Sequence, residues 1–277
     1  MMENSSLQTT IAFLGATGRT GSATLGPLLA NKDKHVQLRT YVRSKAKLLR
    51  LLPEIENDSS VEIREGQLDN VKNLTECFRG ASIIICTVGE NQNIPGLCTL
   101  QGAARCIVAA LTTLQEEDEN WSKPRFIMLS AAPENPRFRA AMPAPVLWLL
   151  HTAFYYSYAD LSAAQDILAA APQLMSLLLV QPPGIVEDEP TGHEISTESV
   201  RKTVTYADLG SAFAELALER AYDELHAVGV SSKGGDVSGK YEFELLSRMV
   251  IGLFAGYMPG YWPAKRFIDR IRGALGW

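Results

Sequence analysis

The segment Thr9–Gly21, TTIAFLGATGRTG, ends in three glycines spaced three apart, Gly15, Gly18 and Gly21. That pattern suits diphosphate binding: one glycine turns the backbone sharply after a strand, the next lets it approach a pyrophosphate, and the third lets the following helix pack closely. The first amides of that helix and the positive end of its dipole face the phosphates, with Thr17, Arg19 and Thr20 in the same turn as further donors. About 20 residues on, an NAD site places an acidic residue on the ribose 2′-hydroxyl. Here Arg43-Ser44 stands at the end of the second strand, with Lys45 and Lys47 following. A guanidinium fork grips a 2′-phosphate and stacks on adenine, so Arg43 and Ser44 point to NADP(H). Further along, Ser130, His151, Tyr155 and Tyr158 supply hydroxyls and an imidazole that could polarise or protonate a substrate oxygen.

The elements that must position these groups alternate along the chain. Thr9–Leu14 reads as a buried strand and Arg19–Ala30 as the helix after it, with Pro27 expected to bend or end its last turn. His35–Arg43 and Val61–Gly66 read as strands, and Asp69 or Asn70 as the cap of a helix Val71–Arg79. Ala81–Val88 is a continuous apolar run, as a central parallel strand covered on both faces requires. A helix is expected over Asn93–Leu114 with Pro95 in its first turn, then a solvated loop QEEDEN, then a strand Pro124–Leu129. The expected fold is therefore α/β, a Rossmann-type doubly wound parallel sheet. Gly15, Arg43, Gly66, Gly89 and Ser130 all fall at the carboxyl ends of its strands, where ligands bind.

Residues 131–160 form an aromatic, proline-rich segment read as a loop followed by a helix Ala144–Tyr156 on the substrate side. A helix Leu161–Ala170, a strand Met175–Val180, a short strand Val200–Val204 and a late helix within TYADLGSAFAELALE complete a domain over residues 1–230. Ser231–Gly235 reads as a flexible connector to a mainly helical appendage, residues 231–277, with helices Glu242–Phe254 and Ala264–Leu275. In the last helix Phe267, Ile271 and Leu275 recur every four residues beside Lys265, Arg266, Arg270 and Arg272. Such a stripe packs on the parent domain or a partner, or lies on a membrane surface.

A formal net charge of −5 and a pI near 5.5 give no basic surface in bulk, so nucleic acid is not an expected partner. Cys77, Cys86, Cys98 and Cys106 stand singly, which favours buried free thiols in a reducing compartment and no metal site. The first ten residues do not read as a secretory signal, and the apolar stretch Met249–Met258 is far short of a spanning helix. The expected location is cytoplasmic, the expected ligand a small molecule, and a homo-oligomer is compatible with these features.

The G-x-x-G-x-x-G spacing of GATGRTG resembles that of extended and atypical short-chain dehydrogenases/reductases. Within them the chain is similar to the group holding the flavin/biliverdin-IX-beta reductases, the nitrogen-metabolite-repression regulators and the fungal averufin-oxidase-type proteins. The resemblance spans about residues 9–220. It implies that Gln67, where the family usually carries an aspartate, accepts from the adenine amino group beside Leu68. It also implies that Thr87, Val88 and Gly89 line the ribose and pyrophosphate, and that Pro182 and Ile185, in the turn QPPGIV, close over the nicotinamide. Gln181 replaces a common arginine, and Gly184 stands where the biliverdin and flavin reductases carry a histidine, which counts against tetrapyrrole or flavin reduction. The late helix resembles the family's aspartate-capped one.

Ordinary members pair a strand-end serine with Tyr-x-x-x-Lys, whose cation lowers the phenol pKa. Ser130 matches the serine, but Tyr155, Tyr156 and Tyr158 are followed four residues later by Ala159, Asp160 and Ser162. A tyrosine without that cation is a hydrogen-bond donor rather than a base at neutral pH. Together these features imply an NADPH-dependent reductase of an activated aromatic or polyketide-like acceptor in fungal secondary metabolism. Ser130 and Tyr158 are the expected catalytic groups, with Tyr155 and His151 as substitutes. Two other readings keep the fold: an isomerase, dehydratase or cyclase with bound NADP, and a nucleotide-sensing regulator.

Overall fold

The computed structural model describes residues 9–31, 36–236 and 240–275. Strand β1 (Thr9–Leu14) leads into helix α1 (Arg19–Ala30), β2 (Val36–Val42), α2 (Lys45–Leu51), β3 (Val61–Glu65) and α3 (Val71–Phe78). The chain then crosses to the other side of β1 with β4 (Ile83–Cys86), α4 (Thr99–Glu117) and β5 (Arg125–Leu129). Three helices follow, α5 (Pro136–Arg139), α6 (Ala144–Ala153) and α7 (Tyr155–Ala169), before β6 (Ser176–Gln181). Strands β7 (Gly184–Val186), β8 (His193–Ser196) and β9 (Thr203–Thr205), helix α8 (Tyr206–Leu218), β10 (Ala227–Ser232), α9 (Glu242–Tyr257) and α10 (Tyr261–Leu275) complete the chain.

The main sheet has the order β3-β2-β1-β4-β5-β6-β10-β8, parallel throughout except for β8 against β10, and β7 pairs with β9 in a small sheet of its own. Strand order reverses between β1 and β4, so the crevice for a ligand opens where Leu14 stands opposite Cys86. Period-two alternation divides β1 between two cores. Ala12 and Leu14 join Ile84, Phe126 and Met128 under α3, α4 and α7, while Ile11 and Phe13 join Ile85 and Ile127 under α1 and α8. This sheet and its two helical layers are the expected Rossmann-type architecture.

Several local expectations change. The helix expected from Asn93 begins at Thr99, because Gly96 holds a left-handed φ of +77° and Asn93 is buried with its side chain engaged elsewhere. At its other end α4 runs on to Glu117 and takes in the start of the acidic run read as loop. Pro27 does not end α1, which continues to Ala30. The carbonyl that Pro27 leaves without its usual amide belongs to Ala23, and Gly210 of α8 packs directly on it, where a Cβ would come within 2.4 Å. The aromatic helix breaks at Phe154, so Tyr155 and Tyr156 open α7 instead of closing α6, and Tyr158, expected before the helix at Leu161, lies within α7. Thr205, not Asp208, caps α8: its hydroxyl accepts from the Asp208 amide, and the Asp208 carboxylate accepts from the amides of Thr191 and Gly192. Ser231 and Ser232 are not a connector but the buried end of β10, so a boundary after residue 230 would fall inside a strand. His35, expected to start the second strand, lies outside the described residues.

Candidate active site

The glycine turn is shaped by close backbone packing. Gly15 has φ +92°, and a Cβ there would lie 2.8 Å from the backbone of Thr87 and Val88 at the end of β4. A Cβ on Gly21 would lie 2.1 Å from the Gly15 carbonyl oxygen, so α1 seats only on glycine. Gly18 differs: its amide donates to Gly15 O at 2.9 Å, and an added Cβ would meet only that oxygen, at 3.3 Å. The exposed ledge at Gly18 is a cradle that a side chain would fill. Ser22 N makes the first helical bond, to Gly18 O at 2.8 Å, so the amides of Arg19, Thr20 and Gly21 precede the helical ladder at its positive end. Arg19 reaches from the turn over the ring of Tyr206, 5.5 Å from its centroid, and lies 4.0 Å from Glu187. Thr17 is half-buried beside the ledge, and Thr20 is buried in the first turn.

Arg43 is exposed at the end of β2 and has no ionic partner among the described residues. Ser44 instead caps α2, accepting from the Lys47 amide at 3.2 Å, so its side chain is already partly engaged. Gly66 is needed because a Cβ would collide with the Tyr41 hydroxyl at 2.2 Å; that hydroxyl donates to the Gln67 carbonyl at 2.8 Å, leaving the Gln67 side chain exposed. Leu68 and Val88 pack on the core, and Thr87 is buried with its amide on Leu14 O. Gly89 is exposed, and nothing within the chain lies within 4 Å of a Cβ placed there.

The candidate reacting groups lie at the end of β5 and along α6 and α7. Ser130 is buried, and its hydroxyl donates to Gln165 Oε1 at 3.4 Å. Tyr158 lies seven residues before Gln165, within about 20° of it around α7, so the two share one helix face. The Tyr158 ring meets His151 of α6 at 5.4 Å and Phe154 at 6.0 Å. Burial, reinforced by Glu134, pushes its phenol well above the ordinary tyrosine value. Burial likewise holds the Glu134 carboxyl above its ordinary range, with His151 and Arg139 opposing. Tyr155 is turned about 80° around α7 from Gln165, is more than half exposed at 54%, and packs edge-on against Tyr156.

Sequence reasoning missed the residues that fix this arrangement. Glu134 and Gln165 are two of them. Asp160, 1% exposed, caps α4 from across the interface, accepting from the amides of Leu100 at 2.8 Å and Gln101 at 3.0 Å. Asn93, fully buried, accepts from the Tyr156 amide in the first turn of α7 and donates to the carbonyls of Thr152 and Gly252. The turn after β6 is held in the same way: the Ala132 amide donates to Pro182 O at 2.9 Å, Gln181 Oε1 accepts from Asn135, and Ile185 O accepts from Arg248 of α9 at 2.7 Å. Leu245 of α9 packs on Gly184, the position at which the resemblance to biliverdin and flavin reductases implies a histidine in those proteins. Cys98 is also a correction, being exposed, while burial pushes the Cys77 and Cys86 thiols up to about 12 and about 11.

The glycine ledge, the helix amides and the strand-end groups lie at the carboxyl ends of the strands, where open α/β sheets bind their ligands. A family model described as NAD(P)H-binding matches residues 15–220. This chain belongs to the NAD(P)H-binding family. Among its relatives are oxidoreductase ordB of Dothistroma septosporum, 35% identical over 90% of this chain and 91% of that one, and averufin oxidase A of Aspergillus flavus, 33% identical over 81% and 83%. A short-chain dehydrogenase/reductase (wide type) from Veillonella parvula, solved in complex with NADP, shares the fold with a TM-score of 0.63 at 18% identity, covering 83% of this chain and 97% of that one. The resemblance to atypical short-chain reductases and to fungal averufin-oxidase-type proteins therefore holds, and the chain is an NAD(P)-dependent oxidoreductase.

Proposed function

We propose that this family member is an NADPH-dependent reductase of an aromatic or polyketide-like acceptor in fungal secondary metabolism. The observation carrying this reading is the shared face of α7, on which Gln165 contacts Ser130 and Tyr158 presents a phenol that burial keeps protonated. The ledge at Gly18 and the amides of Arg19–Gly21 would hold the pyrophosphate, and Arg43 the 2′-phosphate. When bound, the nicotinamide supplies a hydride. The chain's own part is to hold the acceptor oxygen: Tyr158 donates a hydrogen bond, and the Ser130 hydroxyl, held by Gln165, turns to donate a second. With no lysine to lower its pKa, Tyr158 is a donor and not a base, which suits conjugated acceptors rather than simple ketones.

The test is turnover of candidate quinones and enones with labelled NADPH by the parent, Ser130→Ala and Tyr158→Phe. Each variant is expected to lose about 10- to 1,000-fold in turnover with NADPH affinity little changed. Product formed without label transfer would overturn the reductase reading in favour of a non-redox isomerase or cyclase. Full activity in both variants would remove the two hydroxyls from the mechanism.

A further inference from the structure

The last two helices carry a surface that the redox site does not use. On α9, Gly252, Ala255 and Gly256 form the packed side: a Cβ on Gly252 would lie 2.3 Å from Ala153 O, and one on Gly256 2.2 Å from the Asn93 amide nitrogen. The opposite side carries Phe243, Leu246, Val250, Phe254 and Tyr257, spaced three, four, four and three residues apart and all within an arc of about 80°. All five are exposed, Phe243 to 83%. Helix α10 follows, tied to α9 by Trp262, whose indole donates to Ala255 O at 2.7 Å, and the stripe stays open.

Helix α10 is itself amphipathic and barely covered. Phe267, Ile268 and Ile271 are exposed and lie within an arc of about 100°. Lys265 and Arg272 border that arc on one side and Arg270 on the other. Lys265 pairs with Asp269, while Arg266, Arg270 and Arg272 have no ionic partner among the described residues. Four basic residues against Asp269 give α10 three net positive charges in a chain whose formal net charge is −5. Trp148 of α6, the helix against which α9 packs, adds an aromatic ring that is 68% exposed.

We propose that the α9–α10 face docks on an anionic lipid bilayer. A strong apolar arc bordered by Lys and Arg, with exposed Phe and Trp, is the composition of a helix lying in a membrane interface, where the basic side chains reach the headgroups. No helix among the described residues is long and apolar enough to cross a membrane, so the mode is attachment in the interfacial plane. Charge decides between a bilayer and a second copy of this chain. Two-fold pairing through this face would bring the two α10 helices and their unpaired arginines together, whereas an anionic surface neutralises them and repels the acidic remainder of the molecule outward. Docked in this way, α9 lies between the bilayer and the Gly184–Val186 turn, which Leu245 and Arg248 touch from its other side.

The test is flotation of the full chain with vesicles of phosphatidylcholine alone and with about 30% phosphatidylserine added. Retention is expected on the anionic vesicles, falling with added salt. Arg270→Ala/Arg272→Ala should bind them about 25-fold more weakly, each basic residue near the surface being worth about fivefold. Phe267→Ser/Ile271→Ser should also lose binding, with circular dichroism unchanged in both variants. The proposal is overturned if the parent protein stays off anionic vesicles, or if the arginine variant binds them as the parent does. It is equally overturned if light scattering finds a concentration-dependent dimer that Phe243→Ser/Phe254→Ser dissolves while vesicle binding is absent.

Discussion

The nucleotide half and the C-terminal helices are held by different physics. Around β1 and β4 the constraint is backbone against backbone: Gly15 on Thr87 and Gly21 on Gly15 leave no room for a methyl group. Both sheet faces there are buried under helices. Helix α9 also uses glycines to approach its neighbours, but it is anchored chiefly by discrete polar links: Asn93 to Gly252 O, Arg248 to Ile185 O, and Lys240 and Tyr241 to Asp188. Its other side stays exposed. The glycine turn is thus set by close packing, which tolerates no change in shape, and α9 by hydrogen bonds that can be removed one at a time.

Substitutions at two adjacent glycines sharpen that contrast most. Gly21→Val is expected to destabilise the fold by about 3 kcal/mol or more through overpacking against backbone, read as loss of a cooperative melt. Gly18→Val should fold normally, since its Cβ meets only Gly15 O, yet fail to bind nucleotide by calorimetry. Normal nucleotide binding by a folded Gly18→Val protein would move the phosphates elsewhere.

In the polar region, Asn93→Ala should cost about 2 to 3 kcal/mol by leaving buried backbone groups unpaired, seen in denaturant unfolding. Hydrogen exchange should rise first in α9 and the start of α7, while NADPH still binds. Uniform loss of protection through the sheet would erase the distinction between the two regions. Arg43→Ala is expected to lower NADPH affinity about 10- to 150-fold, about 1.5 to 3 kcal/mol, without changing NADH affinity. Equal NADPH affinity in mutant and parent would break that assignment.

The smallest effect concerns Glu134. Its folded pKa is raised, so the folded state binds the proton more tightly, and stability falls as pH rises from the ordinary carboxylate value through the raised one. Glu134→Gln should flatten the stability profile in that window and leave the protein slightly more stable above it.

What was legible in the sequence follows the same division. Apolar runs such as SIIIC and RFIML report strands buried on both faces, and the G-x-x-G-x-x-G turn reports its own geometry, because both signals are local. Ser130 and Tyr158 could be singled out from strand position and family likeness. The contact of Ser130 with Gln165 could not, because it depends on how α7 is rotated against β5. Pro95 suggested a helix start, yet the left-handed Gly96 and the tertiary role of Asn93 delay it to Thr99. The missed break at Phe154 has the same origin, since the amide that opens α7 is satisfied by Asn93, more than sixty residues away in the chain. Asp160 is a further case: a carboxylate in a helix reads as solvated until another helix presents its free amides to it.

Helix α9 follows every described strand in the chain, yet it props the Gly184–Val186 turn and locks Asn93 in place. Chains emerge from the ribosome amino end first. The sheet and its glycine turn can therefore assemble and capture a dinucleotide while α9 is still being synthesised. A chain stopped before residue 242 would keep the sheet and the glycine turn but lose the links that Arg248 makes to Ile185 and Gly252 to Asn93.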